Sequence, residues 1–293
     1  MWAERQGLEV VRAGALTTVQ DLGRPGHAHL GVPRSGALDE AAHRLANRVL
    51  GNPESAATLE TTVTGCAVRA LRATVAVVTG APCPVTLDGR AAPWGRTVRV
   101  PAGSVLAVGT ASYGVRSYVG FAGGIAVEPV LGSRATDLLS GLGPEPLRDG
   151  APLPLGTPPD PGPVPGAPDA APWQAPPREL VLPVRYGPRA DWFTPEALRT
   201  LTARTFQVSS ASNRIGLRLE GPPLERAYDG ELPSEGMPLG AVQVPPSGRP
   251  VVFLADHPTT GGYPVIGVVP PEALCAAAQA APGTAARFVP AGR

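Results

Sequence analysis

The sequence predicts a mainly β protein of two domains, and three observations carry that prediction. Short apolar runs of four to seven residues, rich in Val and Ile, recur between glycines and prolines. A proline-rich stretch divides the chain into two similar lengths. Helical periodicity appears in only a few places. This texture belongs to β-barrels or sandwiches.

The strand-sized runs are Val75–Val78, Thr97–Val100, Val105–Val108, Val115–Phe121, Leu180–Val184, Thr205–Val208, Val251–Leu254 and Ile266–Val269. The best helix spans Asp39 to Leu50, with Ala42, Leu45, Ala46 and Val49 on one face and Gly51 as its stop. A second spans Thr194 to Leu201, capped by Thr194 with Pro195 in its first turn. A third spans Pro271 to Ala281. Pro144 to Pro177 holds 13 prolines in 34 residues. Its first part is expected to end a domain on an edge strand, and its second part reads as a semi-rigid linker. The expected division is a domain over 1–156, a linker over 157–177 and a domain over 178–293. Pro101–Val108 also echoes Pro282–Val289, each reading as a turn that enters a strand.

Composition excludes several functions. The 293 residues carry a formal charge of +1 with no clustered basic face, which argues against nucleic acid. No run of 18 apolar residues is present, so no membrane span is expected. The start has no signal-peptide pattern. Cys66, Cys83 and Cys275 show no metal or redox spacing and point to a reducing, cytoplasmic compartment. All 25 basic residues are arginine. The chain therefore has no P-loop lysine, forms no Schiff base through a lysine, and carries no covalent biotin.

Three segments look chemical. Thr17–Asp39 is a glycine-punctuated loop with Gln20, Asp21, Arg24 and Arg34. Glycine lets backbone amides approach a ligand, and arginine offers a planar fork for carboxylate or phosphate. Asp39 reads either as a helix cap or as a proton-handling group. His27 and His29 lack a third ligand, so no metal is expected. The second segment runs from Asn213-Arg214 to Ser234-Glu235 and Gln243. Gln243 lies in an apolar run and needs hydrogen-bond partners, from a ligand or from a neighbouring loop. The third, Asp256-His257-Pro258-Thr259-Thr260-Gly261-Gly262-Tyr263, gathers hydroxyls, a carboxylate, an imidazole and a phenol around a tight turn, which suits an oxyanion or phosphate. A Ser234–His257–Asp256 triad is disfavoured, because adjacent residues of an extended chain face opposite ways. Gly132–Thr136 reads as a turn, with an anion nest as the alternative.

Together these segments resemble the biotin-dependent carboxyltransferase subunit family, which includes the C component of 5-oxoprolinase, allophanate hydrolase subunit 2 and the KipI antagonist. The resemblance is carried by Gln20-Asp21-Leu22-Gly23-Arg24, Gly31-Val32-Pro33, Gly36-Ala37-Leu38-Asp39, Ala46-Asn47-Arg48, Leu59-Glu60, Gly132-Ser133-Arg134-Ala135-Thr136, Ser212-Asn213-Arg214-Ile215-Gly216, Ser234-Glu235-Gly236, Gln243-Val244-Pro245 and Thr259-Thr260-Gly261-Gly262-Tyr263-Pro264. It implies two tandem cyclophilin-like β-barrels. It also implies two 5-oxoprolinase partners, a B component related to KipI and an A component of the LamB/YcsF type. The three together would cleave 5-oxo-L-proline to L-glutamate with ATP. ATP would be held mostly by a partner, and the chain would be inactive alone. The implied alternatives are a carboxyltransferase acting on urea or a related amide, and a non-enzymatic antagonist of a kinase inhibitor. Under the first reading Asp39, Glu60 and Asp256 are the candidate proton-handling groups. Gln20, Arg24, Arg214, Ser234, Gln243, Thr259, Thr260, Gly261, Gly262 and Tyr263 are the candidate substrate contacts.

Overall fold

The computed structural model describes residues 7–158, 171, 178–228, 230 and 232–291. Most of the expected linker over 157–177 lies outside the described residues. The chain divides into two compact units. One comprises Met1–Arg24, Asp39–Asp137 and Gly141–Ala175; the other comprises Pro25–Leu38, Leu138–Ser140 and Pro176–Arg293.

The first unit is built from two antiparallel sheets. One has six strands in the order β11 (Pro152–Pro154), β1 (Gly7–Arg12), β4 (Ala67–Ala70), β9 (Val105–Val108), β6 (Val85–Leu87) and β7 (Arg90–Ala92). The expected edge strand is therefore β11. The other sheet has five, in the order β2 (Thr17–Gln20), β3 (Thr58–Thr62), β10 (Arg116–Phe121), β5 (Thr74–Gly80) and β8 (Val98–Val100). Leu8, Val10, Val68 and Leu106 of the first sheet share one core with Val19, Leu59, Val119 and Phe121 of the second. Burial of such side chains contributes roughly 1.5–3 kcal/mol each.

Helix α1 (Glu40–Leu50) packs on the other face of the five-stranded sheet. The Asp39 carboxylate accepts from Ala42 N at 3.0 Å, which caps the helix. Gly51 ends it at φ 70°, a left-handed conformation that glycine adopts without cost. Thr79 Oγ1 donates to the Ala42 carbonyl at 2.8 Å. A Cβ on Gly120 would lie 2.9 Å from Leu50 Cδ1, so glycine is what lets strand and helix meet there.

The second unit contains a closed barrel in the order β12 (Glu179–Tyr186), β19 (Val265–Val268), β16 (Ala241–Gln243), β17 (Val251–Phe253), β14 (Gly216–Glu220), β13 (Phe206–Val208) and β20 (Ala285–Pro290). β12 and β20 close it in parallel, and the other pairs are antiparallel. Leu182, Leu217, Val242, Val252, Ile266 and Phe288 belong to its core, and Leu38 from the Pro25–Leu38 excursion joins them. Phe206 meets Phe288 edge to face at 5.8 Å. Helices α2 (Pro195–Ala203), capped by Thr194, and α3 (Pro271–Ala278) also belong to this unit. A two-stranded ribbon, β15 (Glu235–Gly236) with β18 (Thr260–Gly261), completes it.

The echo noted between Pro101–Val108 and Pro282–Val289 is a shared local shape. Gly103 (φ 85°) and Gly283 (φ 83°) each turn the chain into a strand, β9 and β20 respectively. Among the described residues no helix is long and apolar enough to cross a membrane.

Candidate functional site

Polar side chains gather in two places, and each is a consequence of strand register. In the first unit, Glu60 of β3 pairs with Thr18 of β2 and Tyr118 of β10, and Tyr118 pairs with Thr79 of β5. All four therefore stand on one face, the face that α1 covers, and all are buried. Tyr118 Oη donates to Glu60 Oε2 at 2.7 Å and accepts from Asp39 N at 2.7 Å. Burial, then the nearby Glu60 and Asp39 carboxylates, hold the Tyr118 phenol well above its ordinary pKa. Arg116 Nε lies 3.8 Å from Glu60 Oε1. The structure thus joins Asp39 and Glu60 through Tyr118, a residue that none of the sequence motifs marks. Asp39 is also the helix cap that was its alternative reading.

His43 of α1 sits beside this row. Its Nε2 faces the Glu54 carbonyl at 3.1 Å, and its Nδ1 faces Thr58 Oγ1 at 2.9 Å. A carbonyl only accepts, so Nε2 carries the proton and Nδ1 accepts from the Thr58 hydroxyl. Burial is the main cause of the lowered His43 pKa.

Gln20 and Arg24 are buried in the same unit. Gln20 Nε2 donates to Thr18 Oγ1 at 3.0 Å and to the Thr136 carbonyl at 2.9 Å. Arg24 donates to the Ala135 and Val130 carbonyls, and its Nη1 lies 3.9 Å from Asp137 Oδ2. Asp21 accepts from Gly23 N (2.8 Å), Ser133 Oγ (2.6 Å) and Arg134 N (2.6 Å). Leu131 (φ 52°) and Gly132 (φ 80°) form a tight hairpin turn closed by Val130 and Ser133. The amides of residues 133–136 go to Val130, Asp21, Ser133 Oγ and Val19. This segment is therefore a turn and not an anion nest.

In the second unit, Arg214 and Asp256 face one another. Arg214 Nε donates to Asp256 Oδ2 and Nη2 to Oδ1, both at 2.9 Å. Asp256 also accepts from Ser35 Oγ (2.7 Å) and Leu138 N (3.2 Å), and Arg214 Nη2 donates to the Gly36 carbonyl (2.7 Å). The pair thus holds both excursions that leave the first unit's stretch of chain. His257 stacks on Phe253 at 5.8 Å, and its Nδ1 donates to the Pro258 carbonyl at 2.8 Å. Asp256 is thus held by Arg214, Ser35 and Leu138, and His257 Nδ1 by the Pro258 carbonyl, so neither of these contacts links Asp256 to His257.

The ribbon lies against the outer face of the barrel, where Met237, Ala241, Val251 and Phe253 form a small cluster. Gln243 Nε2 donates to the Tyr263 carbonyl at 3.3 Å and meets Met237 Sδ at 3.9 Å. It ties down a loop, one of the two readings given for it. A Cβ on Gly261 would sit 2.8 Å from Gln243 Nε2, so a larger residue there would displace the Gln243 amide. Ser234, Thr260 and Tyr263 are exposed, and Thr259 and Gly262 are half-buried. Arg189 pairs with Glu235, and Arg226 lies over the Tyr263 ring at 5.7 Å. The accessible donors among the candidate residues are therefore concentrated on this ribbon. The buried ones, Gln20, Arg24, Glu60, Arg214 and Asp256, are engaged with protein partners.

The family model for the carboxyltransferase domain, subdomain A and B, matches residues 30–290. The chain belongs to this family. It is 40% identical over 266 residues to the C component of 5-oxoprolinase from Escherichia coli, covering 89% of this chain and 84% of that protein. It is 34% identical to urea amidolyase of Saccharomyces cerevisiae, covering 98% of this chain but 17% of that protein. Among solved structures, the K. lactis urea amidolyase superposes with a TM-score of 0.87 at 31% identity, over 97% of this chain and 18% of that one. The family's mainly β architecture is thus shared, and the chain spans under a fifth of these amidolyases.

Proposed function

We propose that this chain is the C component of an ATP-dependent 5-oxoprolinase, helping cleave 5-oxo-L-proline to L-glutamate with a KipI-like B component and a LamB/YcsF-like A component in the cytoplasm. The observation that carries this reading is the 40% identity to the Escherichia coli C component across 84% of that protein. The ring amide of 5-oxoproline is stable, and ATP supplies its activation by phosphorylating the amide oxygen. The groups that the sequence offered for a nucleotide's phosphates do not fit them. The chain has no lysine, Arg24 and Arg214 are spent on internal partners, and the 133–136 amides are occupied. The nucleotide is therefore assigned to a partner protein, and no step is routed through it on this chain.

What this chain contributes is a donor surface. The Thr259 and Thr260 hydroxyls, the backbone at Gly262, and Tyr263 stabilise negative charge developing on a carbonyl oxygen, while Gly261 is paired with Glu235 in the ribbon. Gln243 and Arg226 keep that surface in place from beneath and beside. Arg214 and Asp256 act as positioning residues. The test is co-purification with the other two components followed by measurement of ATP-dependent glutamate release. A folded trio that releases none overturns the proposal.

A second reading is a carboxyltransferase component acting on urea, favoured by the match to urea amidolyase over 98% of this chain. Carboxylation of urea by this chain together with a biotin-carrying partner, without glutamate release, would establish it instead.

A further inference from the structure

The first unit carries an open cleft of about 490 Å³. Its walls come from the Asn52–Ala57 turn, from Gly123–Ala126 and from Gly156–Thr157, and Arg134 lines it. The walls are fixed by the fold. Asn52 Nδ2 donates to Asn47 Oδ1 (3.1 Å) and to the Phe121 carbonyl (2.8 Å), while its Oδ1 accepts from Gly123 N (2.9 Å). Ile125 N donates to the Ala57 carbonyl at 2.9 Å, and Gly156 N to that of Gly124 at 3.0 Å. The cleft is therefore preformed, and its size falls within the range of small-molecule sites, about 300–1,000 Å³.

Its charge is set by Arg134. Nε donates to the Val127 carbonyl at 2.7 Å, which fixes the plane of the guanidinium. Among the described residues no carboxylate or carbonyl takes Nη1 or Nη2. The carboxylate of the wall turn, Glu54, is held by Arg44 (2.5 Å) and Arg48 (2.8 Å). Asp21, which takes the Arg134 amide, has two further donors in Gly23 N and Ser133 Oγ. The remaining lining is largely apolar, with Pro53, Ala56, Ile125 and Ala126, plus the hydroxyls of Ser55 and Thr157.

We infer that this cleft binds a compact organic carboxylate, its two oxygens on Arg134 Nη1 and Nη2 and its body against Pro53, Ala56 and Ile125. A planar fork matches a carboxylate by two parallel hydrogen bonds. One guanidinium suits a monoanion, and an apolar wall suits a carbon skeleton better than a bare phosphate. 5-Oxoproline and glutamate belong to this class and serve as probes. The cleft is inferred as a binding site and not as the place where the ring amide reacts, and the choice of probe rests on the proposed function while the carboxylate chemistry does not.

The experiment is calorimetric titration of the purified full-length chain with 5-oxoproline, glutamate and inorganic phosphate. 5-Oxoproline binds, and phosphate binds at least about tenfold more weakly. Arg134→Gln lowers 5-oxoproline affinity at least about tenfold, Arg134→Lys restores part of it, and Ala126→Trp, which leaves Arg134 in place and fills the cleft, also weakens binding. Thermal unfolding of each variant checks the fold. Unchanged affinity in folded Arg134→Gln or Ala126→Trp overturns the inference, as does a wild-type chain that binds no carboxylate. Arg134-dependent binding without glutamate release by the trio upholds this site and removes the proposed function. Glutamate release without Arg134-dependent binding does the reverse.

Discussion

Arg214 and Asp256, 42 positions apart in sequence, meet through two hydrogen bonds of 2.9 Å and are each 1% exposed or less. Neither is available to a ligand without leaving the other charge uncompensated. Asp256→Asn or Arg214→Met should therefore cost about 3–5 kcal/mol, the usual penalty for breaking one side of a buried pair. Urea denaturation of the full chain measures it, and a loss below about 1 kcal/mol would show that the pair is expendable.

The Tyr118 hydroxyl serves Glu60 and the Asp39 amide at once. Tyr118→Phe leaves a buried carboxylate and a buried amide each short of a partner, at a cost of about 1–3 kcal/mol. Because burial holds the Tyr118 phenol neutral, the substitution should leave the alkaline phenolate titration of the native protein unchanged. A smaller titration amplitude in folded Tyr118→Phe would contradict this.

His43 makes stability depend on acid. Its folded pKa lies below the ordinary 6.5, so the unfolded chain takes up the proton first as pH falls. The stabilisation is complete above pH 6.5 and is lost progressively below it, with a slope of at most about 1.4 kcal/mol per pH unit from this group. His43→Gln should flatten that dependence. Unfolding free energies from about pH 8 down to about 5 test it.

Cys66 is buried, with its thiol pushed up to about 12, and burial also raises Cys83. Alkylation of the native protein near neutral pH should therefore spare both and reach only Cys275, the least buried of the three. Mass spectrometry should count one adduct on the native chain and three after denaturation. Rapid native labelling of Cys66 would contradict the burial.

On the ribbon, Thr260 is exposed and its side chain supports little of the fold. In the trio proposed above, Thr260→Val should lower kcat for glutamate release by about tenfold or more, as expected for a lost oxyanion donor. Its unfolding free energy should stay within about 0.5 kcal/mol of wild type. Full activity would move the reacting oxygen away from this ribbon.

Strands with uniform apolar character were legible. Val105–Val108 is β9 residue for residue, and Val115–Phe121 is β10 less its first residue. Strands β2 and β3 escaped notice, because Thr17, Thr18, Thr58, Glu60 and Thr61 give them almost no hydrophobic signal. Their polar face is satisfied by α1 and by one another, and no local pattern announces such a partner. The Asp39 cap and the Gly51 stop were legible because capping chemistry is local. The Arg214–Asp256 pairing was not, since a charge does not declare its partner in sequence. Tyr118 lay inside a run legible only as a strand, and Arg134 inside the Gly132–Thr136 motif, where the turn and not the guanidinium drew notice.

The excursion of Pro25–Leu38 has a consequence for how this polypeptide is inherited. Leu38 and Ser35 are supplied to the barrel from a stretch coded far upstream of its strands. A gene cut inside the proline-rich stretch would not release two autonomous proteins. The downstream product would lack a core residue and a clasp for Asp256, and would need its upstream sibling to mature. Recombination is thus expected to transmit both halves as a single cassette.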